Sequence, residues 1–340
     1  MKKRTSATSK INPSRVVRNV LSIISLLFIA YFVIKNSANI HLDKPWILVI
    51  CLIFPLFVNP FIANNRWKYF LAINGIHESI LRLAKITFIS TFYGLILPSS
   101  SGFDAIRIYK IEKFHPESRG KAGSTVVLER LMGILSLCII TMLSALFMRS
   151  QLVGKTLKIT IFFIGLTGMV LILTAFMPIW YTLMSKIVYS KNAANAKYIK
   201  GIISYIDELH QALHLAFSIR MMIKSFALIS LYQLSTIINV ALVYKALGVN
   251  LPFTVHLLIM PVIYIFSIIP ITISGFGVRE GLFTFFYSKF GVESAVAITA
   301  SLVNYAILTL VPALIGFIIT LALPEPSQIS RVGANEENTV

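Results

Sequence analysis

Pro270-Ile271-Thr272-Ile273-Ser274-Gly275-Phe276-Gly277-Val278-Arg279-Glu280-Gly281 interrupts a long apolar run with a proline, three glycines and an adjacent Arg-Glu pair. A second stretch echoes it: Pro98-Ser99-Ser100-Ser101-Gly102-Phe103-Asp104-Ala105-Ile106-Arg107. Each carries a proline, then Ser-Gly-Phe, then an arginine within four residues of the phenylalanine. In a membrane, irregular backbone is tolerated only where protein or a wet cavity covers it. Ionisable side chains at that depth are costly and point to function. The rest of the chain reads as scaffold for these two stretches.

Composition supports a membrane setting. The 340 residues are 56% hydrophobic and 13% charged, with a mean hydropathy of +0.80, against about a quarter charged in soluble domains. The net charge of +18 is carried by Lys and Arg in short segments beside apolar spans. This is the pattern of membrane orientation rather than of nucleic-acid binding. Cys51 and Cys138 both fall inside apolar runs, where they read as small fillers and not as a disulfide or metal site. A basic N-terminus (residues 1–15) precedes an apolar run with no small-residue cleavage site, so it reads as a retained first span.

Six segments have the length to cross a bilayer: 16–34, 46–63, 122–148, 159–181, 225–245 and 295–323. Two others, 81–97 and 253–269, run directly into the two interrupted stretches. The basic residues decide how to read them. If both are plain crossings, Lys and Arg divide fifteen to fifteen between the two sides. If both are hairpins returning to their side of entry, the division is 22 inside against seven outside, as the positive-inside rule requires. The expected fold is therefore an all-α polytopic integral membrane protein with about six full transmembrane helices and two re-entrant helical hairpins. Its halves, about 16–148 and 159–323, start from opposite sides and form an inverted repeat. Broken helices at matching positions of two such halves mark the binding site of a transporter. An amphipathic helix is expected at 197–217 and a polar tail at 324–340.

Three acids and three bases fall at or near membrane depth: Asp104, Glu129, Glu280, Arg107, Arg130 and Arg279. Asp104, Arg107, Arg279 and Glu280 follow glycine turns that open new helical arms, where free N–H groups suit a phosphate or carboxylate and arginine adds a bidentate contact. For Glu129 and Arg130, a purely stabilising role at a helix interface is an equal alternative. Adjacent helical residues do not face each other, so their partners lie elsewhere.

These residues carry a family resemblance. Asn65-Arg66-Trp67, Pro98 through Gly102-Phe103-Asp104 to Arg107, Glu129-Arg130, and Pro270 through Arg279-Glu280 resemble the lysylphosphatidylglycerol synthase transmembrane-region family of flippase-like proteins. The chain departs from it at Gly102-Phe103-Asp104, where the family usually has Gly-Gly-Asp, and at Ser274-Gly275, where paired glycines are common. The resemblance implies a multi-pass protein of a prokaryotic cytoplasmic membrane that moves a polar-headed lipid between leaflets. With 17 residues after the last expected span, the family's C-terminal synthase domain is not expected, and aminoacyl transfer is not expected either.

The leading expectation is a flippase or transporter for an anionic phospholipid or a lipid-linked sugar, with both termini cytoplasmic. Phosphate would meet Arg107, Arg279 and the backbone at Ser101, Gly102, Ser274, Gly275 and Gly277. Asp104 and Glu280 would orient the arginines or take a basic group or proton. Glu129, Arg130, Pro98 and Pro270 would support the tips. No metal, nucleotide or other cofactor is implied, so transport would be downhill or ion-coupled. The competing readings are a transferase acting on a polyprenyl-phosphate lipid and a non-transporting partner of envelope-assembly proteins.

Overall fold

The computed structural model describes residues 42–96, 102–116, 120–147, 154–175, 219–267 and 277–322. The expected first span, the 197–217 helix, the tail, and Pro98, Ser101, Pro270, Ser274 and Gly275 lie outside the described residues. All secondary structure within them is helical.

The first helix, α1 (Trp46–Ile73), is a 28-residue span with a π segment at Phe54–Val58. Pro55 explains that irregularity, because it has no N–H to close a regular turn. The Cys51 carbonyl accepts instead from Asn239 Nδ2 at 2.9 Å. Then come α2 (Ile80–Ile96), α3 (Gly102–Phe114), α4 (Lys121–Phe147) and α5 (Lys155–Ala175). The second set is α6 (Ile219–Ala246), α7 (Phe253–Ser267), α8 (Val278–Ser288) and α9 (Ser294–Ala322), the last with a π segment at Ala306–Leu310. Helices α1, α4, α6 and α9 are long and apolar enough to cross a membrane. The expected span at 159–181 is described only in its first part, where Ile159–Val170 is a shorter apolar helix.

Helices α1 and α6 run antiparallel down the centre. Their contacts pair rising positions on α1 with falling positions on α6. Lys44 N–H donates to the Ala246 carbonyl, and Asn239 reaches Cys51. Ser235 Oγ donates to Asn59 Oδ1 at 2.7 Å, Arg66 lies over the Tyr232 ring, and Lys224 lies over Tyr69.

Two helical hairpins flank this pair. In the first, Gly94 near the end of α2 meets Phe103 at the start of α3. At the other end, His115 Nε2 meets Glu78 Oε1 at 3.0 Å. The chain thus leaves where it entered, beside the C-terminal end of α1, where Leu71, Ile76, Leu83 and Ile111 form one buried cluster. In the second hairpin, His256 near the start of α7 meets Tyr287 near the end of α8 at 2.8 Å. That base lies against Tyr244 at the C-terminal end of α6. Because α1 and α6 are antiparallel, the hairpins enter from opposite ends of the molecule.

The first hairpin stops part-way. Asp104 bonds Arg130, about 14 Å along an α4 that is about 40 Å long at 1.5 Å per residue. Phe103 shares a cavity wall with Gly133, Ile134 and Leu137, the middle of α4. The packing pattern is unchanged when α1, α2, α3 and α4 are exchanged for α6, α7, α8 and α9. Helix α2 lies on α9 as α7 lies on α4, and α1 touches α4 as α6 touches α9.

Small residues allow the closest approaches, as membrane helices require. A Cβ on Gly316 of α9 would overlap the backbone carbonyl of Phe88 on α2. Gly165 and Gly168 of α5 press on Met142 and Cys138 of α4. Cys51 and Cys138 are buried free thiols. Exposed Trp46, Val49, Ile53, Phe57 and Phe61 form a helical stripe on α1, an outer surface suited to lipid rather than water.

Candidate functional site

The first hairpin tip carries its charges inward. Asp104 and Arg107 are three apart on α3, so they share a face, and their closest approach is 3.8 Å. Asp104 Oδ2 accepts from Arg130 Nε at 2.9 Å and from Nη2 at 2.5 Å. Arg107 Nη2 donates to Glu129 Oε2 at 2.8 Å. Glu129 Oε1 accepts from Arg66 Nε at 2.7 Å and also from Arg66 Nη2. Glu129 and Arg130 therefore serve different partners, as expected for neighbours on a helix.

Arg66, Arg107 and Glu129 are all buried, the last at 7% exposure, whereas the Arg130 side chain is half-exposed. Three arginines face two carboxylates, so the cluster keeps one positive charge in surplus. Trp67 anchors it from below: Arg107 lies 3.9 Å from its ring centroid, and its indole N–H donates to Thr125 Oγ1 at 3.3 Å. Arg107 Nε is buried with no hydrogen-bond partner among the described residues. Removing one member of such a buried set leaves an uncompensated charge, a cost of about 3–5 kcal/mol.

The second hairpin tip is organised differently. Gly277 has φ +86°, a left-handed conformation that favours glycine, and it turns the chain into α8. Its N–H donates to Glu280 Oε2 at 2.7 Å, closing the first turn of α8. Glu280 Oε1 accepts from Arg279 Nη2 at 2.6 Å and from Ser301 Oγ at 3.1 Å. Arg279 also donates from Nε to Ser301 at 3.0 Å and lies over the Tyr305 ring. Glu280 is thus committed to its own arginine, its own helix start and α9.

Between the two clusters lie Tyr232 and Tyr264. Tyr232 lies under Arg66. Tyr264, beside Thr236 and Asn304, is within electrostatic reach of Tyr232 and Arg279. A cavity of about 270 Å³ opens beside the first cluster, lined by Asp104, Arg107, Glu129, Arg130, Tyr232 and Gln233 among others. Of the residues expected from sequence, Asp104, Arg107, Glu129 and Arg130 meet here, with Gly102 buried at the start of α3. Arg279, Glu280 and Gly277 form the other cluster.

Arg66, Trp67 and Tyr232 were not among the expected site residues. Arg66 reads as a loop charge because it follows an apolar run and precedes Lys68. In the structure it is inside α1 and 9% exposed. Of the cationic residues assigned to the inside, Arg66 and Arg107 therefore belong to the buried cluster, and the bias toward the inside survives their removal. The neighbouring Trp67 gave no local signal for Arg66, since adjacent helical residues do not face each other; the indole carries Arg107, and Arg66 lies over Tyr232.

A family model described as Lysylphosphatidylglycerol synthase TM region matches residues 17–316. A protein of Methanocaldococcus jannaschii described as a UPF0104 membrane protein is 24% identical over 328 residues, covering 89% of this chain and 94% of that protein. A Pyrococcus horikoshii protein with the same description is 20% identical over 277 residues, covering 75% and 81%.

Proposed function

The chain belongs to the lysylphosphatidylglycerol synthase TM region family, and on that premise we propose that it moves a lipid bearing a phosphate head group between the leaflets of the cytoplasmic membrane, with both termini cytoplasmic. The observation that carries this reading is the buried arginine cluster at the first hairpin tip. It lies part-way along α4, holds a positive surplus, and borders a cavity large enough for a small polar group.

A surplus guanidinium charge at a partly open cavity attracts one anion and repels cations. The Arg107–Glu129 pair supplies the release step. An incoming phosphate oxygen takes the place of Glu129 Oε2 on Arg107, while Glu129 keeps Arg66 through Oε1. Phosphate binding thereby removes one ion-pair link between α3 and α4, leaving Asp104–Arg130, without stranding either charge. The second cluster, tied together through Glu280, acts as the matching support on the opposite side. The chain performs no covalent chemistry in this scheme.

Translocation in proteoliposomes tests it. A fluorescent anionic phospholipid should become accessible to an external quencher faster in vesicles holding the protein than in protein-free vesicles. Arg107→Ala, folded and inserted normally, should lower that rate by at least about tenfold, the loss of one charged hydrogen bond worth 1.5–3 kcal/mol. A wild-type rate in Arg107→Ala and Asp104→Ala would remove the site assignment.

A further inference from the structure

Arg66 and Arg107 line not one cavity but two. The second, of about 140 Å³, lies toward α1, α2 and α9 and shares Arg66, Phe103, Arg107 and Tyr232 with the first. Among the described residues no carboxylate lines it; its polar side chains, besides the arginines and Tyr232, are Asn59, Asn64, Thr87 and Thr91.

The hydrogen bonds already made in this wall show what is left over. Thr87 Oγ1 donates to Asn64 Oδ1 at 2.7 Å, and Thr91 Oγ1 donates to the Thr87 carbonyl at 2.9 Å. Asn64 Nδ2 donates to the Pro60 carbonyl at 2.7 Å, and Asn59 Oδ1 accepts from Ser235. The two threonine protons are therefore committed, while each of these oxygens keeps a further lone pair and the Asn59 amide N–H groups and the Tyr232 hydroxyl remain as donors. Pro55, Pro60 and Pro312 lie in the same wall, and each removes a backbone donor. Pro55 falls within the π segment of α1 and Leu308 within that of α9, and these two segments touch. Such bulges recur at functional sites.

The wall thus offers spare acceptors together with uncharged donors and is bordered by two guanidinium groups. That combination excludes most occupants. A metal ion or an ammonium group would satisfy the acceptors but would be repelled by Arg66 and Arg107. A bare anion would satisfy the arginines and leave the acceptors empty. Hydroxyl groups donate to the acceptors and carry no charge, and a hydroxylated carbon chain or ring presents C–H faces to Phe103 and Tyr232.

We infer that this cavity takes the uncharged, hydroxylated part of the lipid head group, a glycerol or a sugar, and selects it over a head group bearing an amine. The inference rests on the reading that the lipid's phosphate sits at Arg107.

Four short-chain lipids presented to the purified full chain in detergent separate these ideas, with retention read by native mass spectrometry. Phosphatidylglycerol and a polyprenyl-phosphate hexose carry hydroxyls on a phosphodiester. Phosphatidylmethanol has the same charge without hydroxyls, and phosphatidylethanolamine has an amine. At least one hydroxylated lipid should be retained about tenfold better than the other two, the effect of one or two net hydrogen bonds. Which hydroxylated lipid wins identifies the source of the polyol. Thr87→Val and Thr91→Val should bring that lipid down to the phosphatidylmethanol level without changing phosphatidylmethanol itself, and Thr87→Ser should restore it. If Thr87→Val does not fold, Thr91→Val alone decides.

Retention of the ethanolamine lipid equal to or above the hydroxylated ones would overturn the inference, as would valine variants with unchanged preference. Failure of the underlying phosphate reading looks different: Arg107→Ala would then retain all four lipids as well as the wild type does, and the inference would fall with it.

Discussion

Glu129 holds the first hairpin to the core through two arginines from different helices. Arg66 comes from α1 and Arg107 from α3, and each takes one carboxylate oxygen. Glu129→Ala leaves two buried guanidinium groups facing each other. It should destabilise the protein by about 3–5 kcal/mol, seen as a lower melting temperature in detergent, while Glu129→Gln, which keeps the shape and one of the two acceptor oxygens, should cost less. Arg107→Lys is not a conservative change here. Lysine has no planar group that can lie on Trp67 while one N–H meets Glu129 and another faces Asp104, so transport should fall nearly as far as in Arg107→Ala. Asp104, Arg107, Glu129 and Arg130 were legible in the sequence, because a charge inside an apolar run is conspicuous, but Arg66 was not. Their pairing was not, since it joins positions 66, 107 and 129 that only the fold brings together. The uncharged wall of Asn59, Asn64, Thr87 and Thr91 was not legible either. Polar uncharged residues in spans are common as helix-to-helix hydrogen bonds, and nothing local distinguishes a cavity wall from such a contact.

At the scale of elements, the hairpin depends on close contacts that glycine permits. Gly316 brings α9 onto the backbone of α2 at Phe88, and Gly94 lets the α2 end meet Phe103. Gly316→Leu should force α9 away from α2 and lower both thermal stability and transport. Gly133→Ala, with open space where its Cβ would go, should leave stability near the wild-type value. Thermal scans of both variants in the same detergent make the comparison. The two hairpin arms were legible as short apolar segments running into Pro-Ser-Gly-Phe interruptions. Helix α1 was read too short, because Asn64, Asn65 and Arg66 look like a loop. In the structure each asparagine side-chain amide instead donates to the backbone carbonyl four residues earlier, Asn64 to Pro60 and Asn65 to Phe61, and the helix continues to Ile73.

For the whole molecule, the antiparallel α1–α6 pair fixes the relation of the halves. The hairpin bases lie at opposite ends of that pair, so residues at the two bases should face opposite sides of the membrane. With Cys51 and Cys138 replaced by serine, single cysteines at Lys113 and Lys289 should react with an impermeant thiol reagent from opposite sides of sealed vesicles. Labelling of both from one side would contradict the inverted arrangement. This relation was legible from charge alone, because placing the hairpins on their side of entry makes the basic residues unequal between the two sides. The symmetry of packing between halves has no counterpart in a residue-by-residue match beyond the short Ser-Gly-Phe echo, since packing needs apolar surfaces of the right shape rather than repeated residues.

The central claim is that lipid phosphate reaches the Arg66–Arg107–Glu129 cluster at the first hairpin tip, and head-group photocrosslinking in proteoliposomes tests it most directly. A phospholipid with a diazirine next to its phosphate should attach to peptides carrying residues 59–67, 102–107 and 232–233, and Arg107→Ala should remove those adducts. Adducts confined to the outer stripe of Trp46, Phe57 and Phe61, unchanged in Arg107→Ala, would contradict the account.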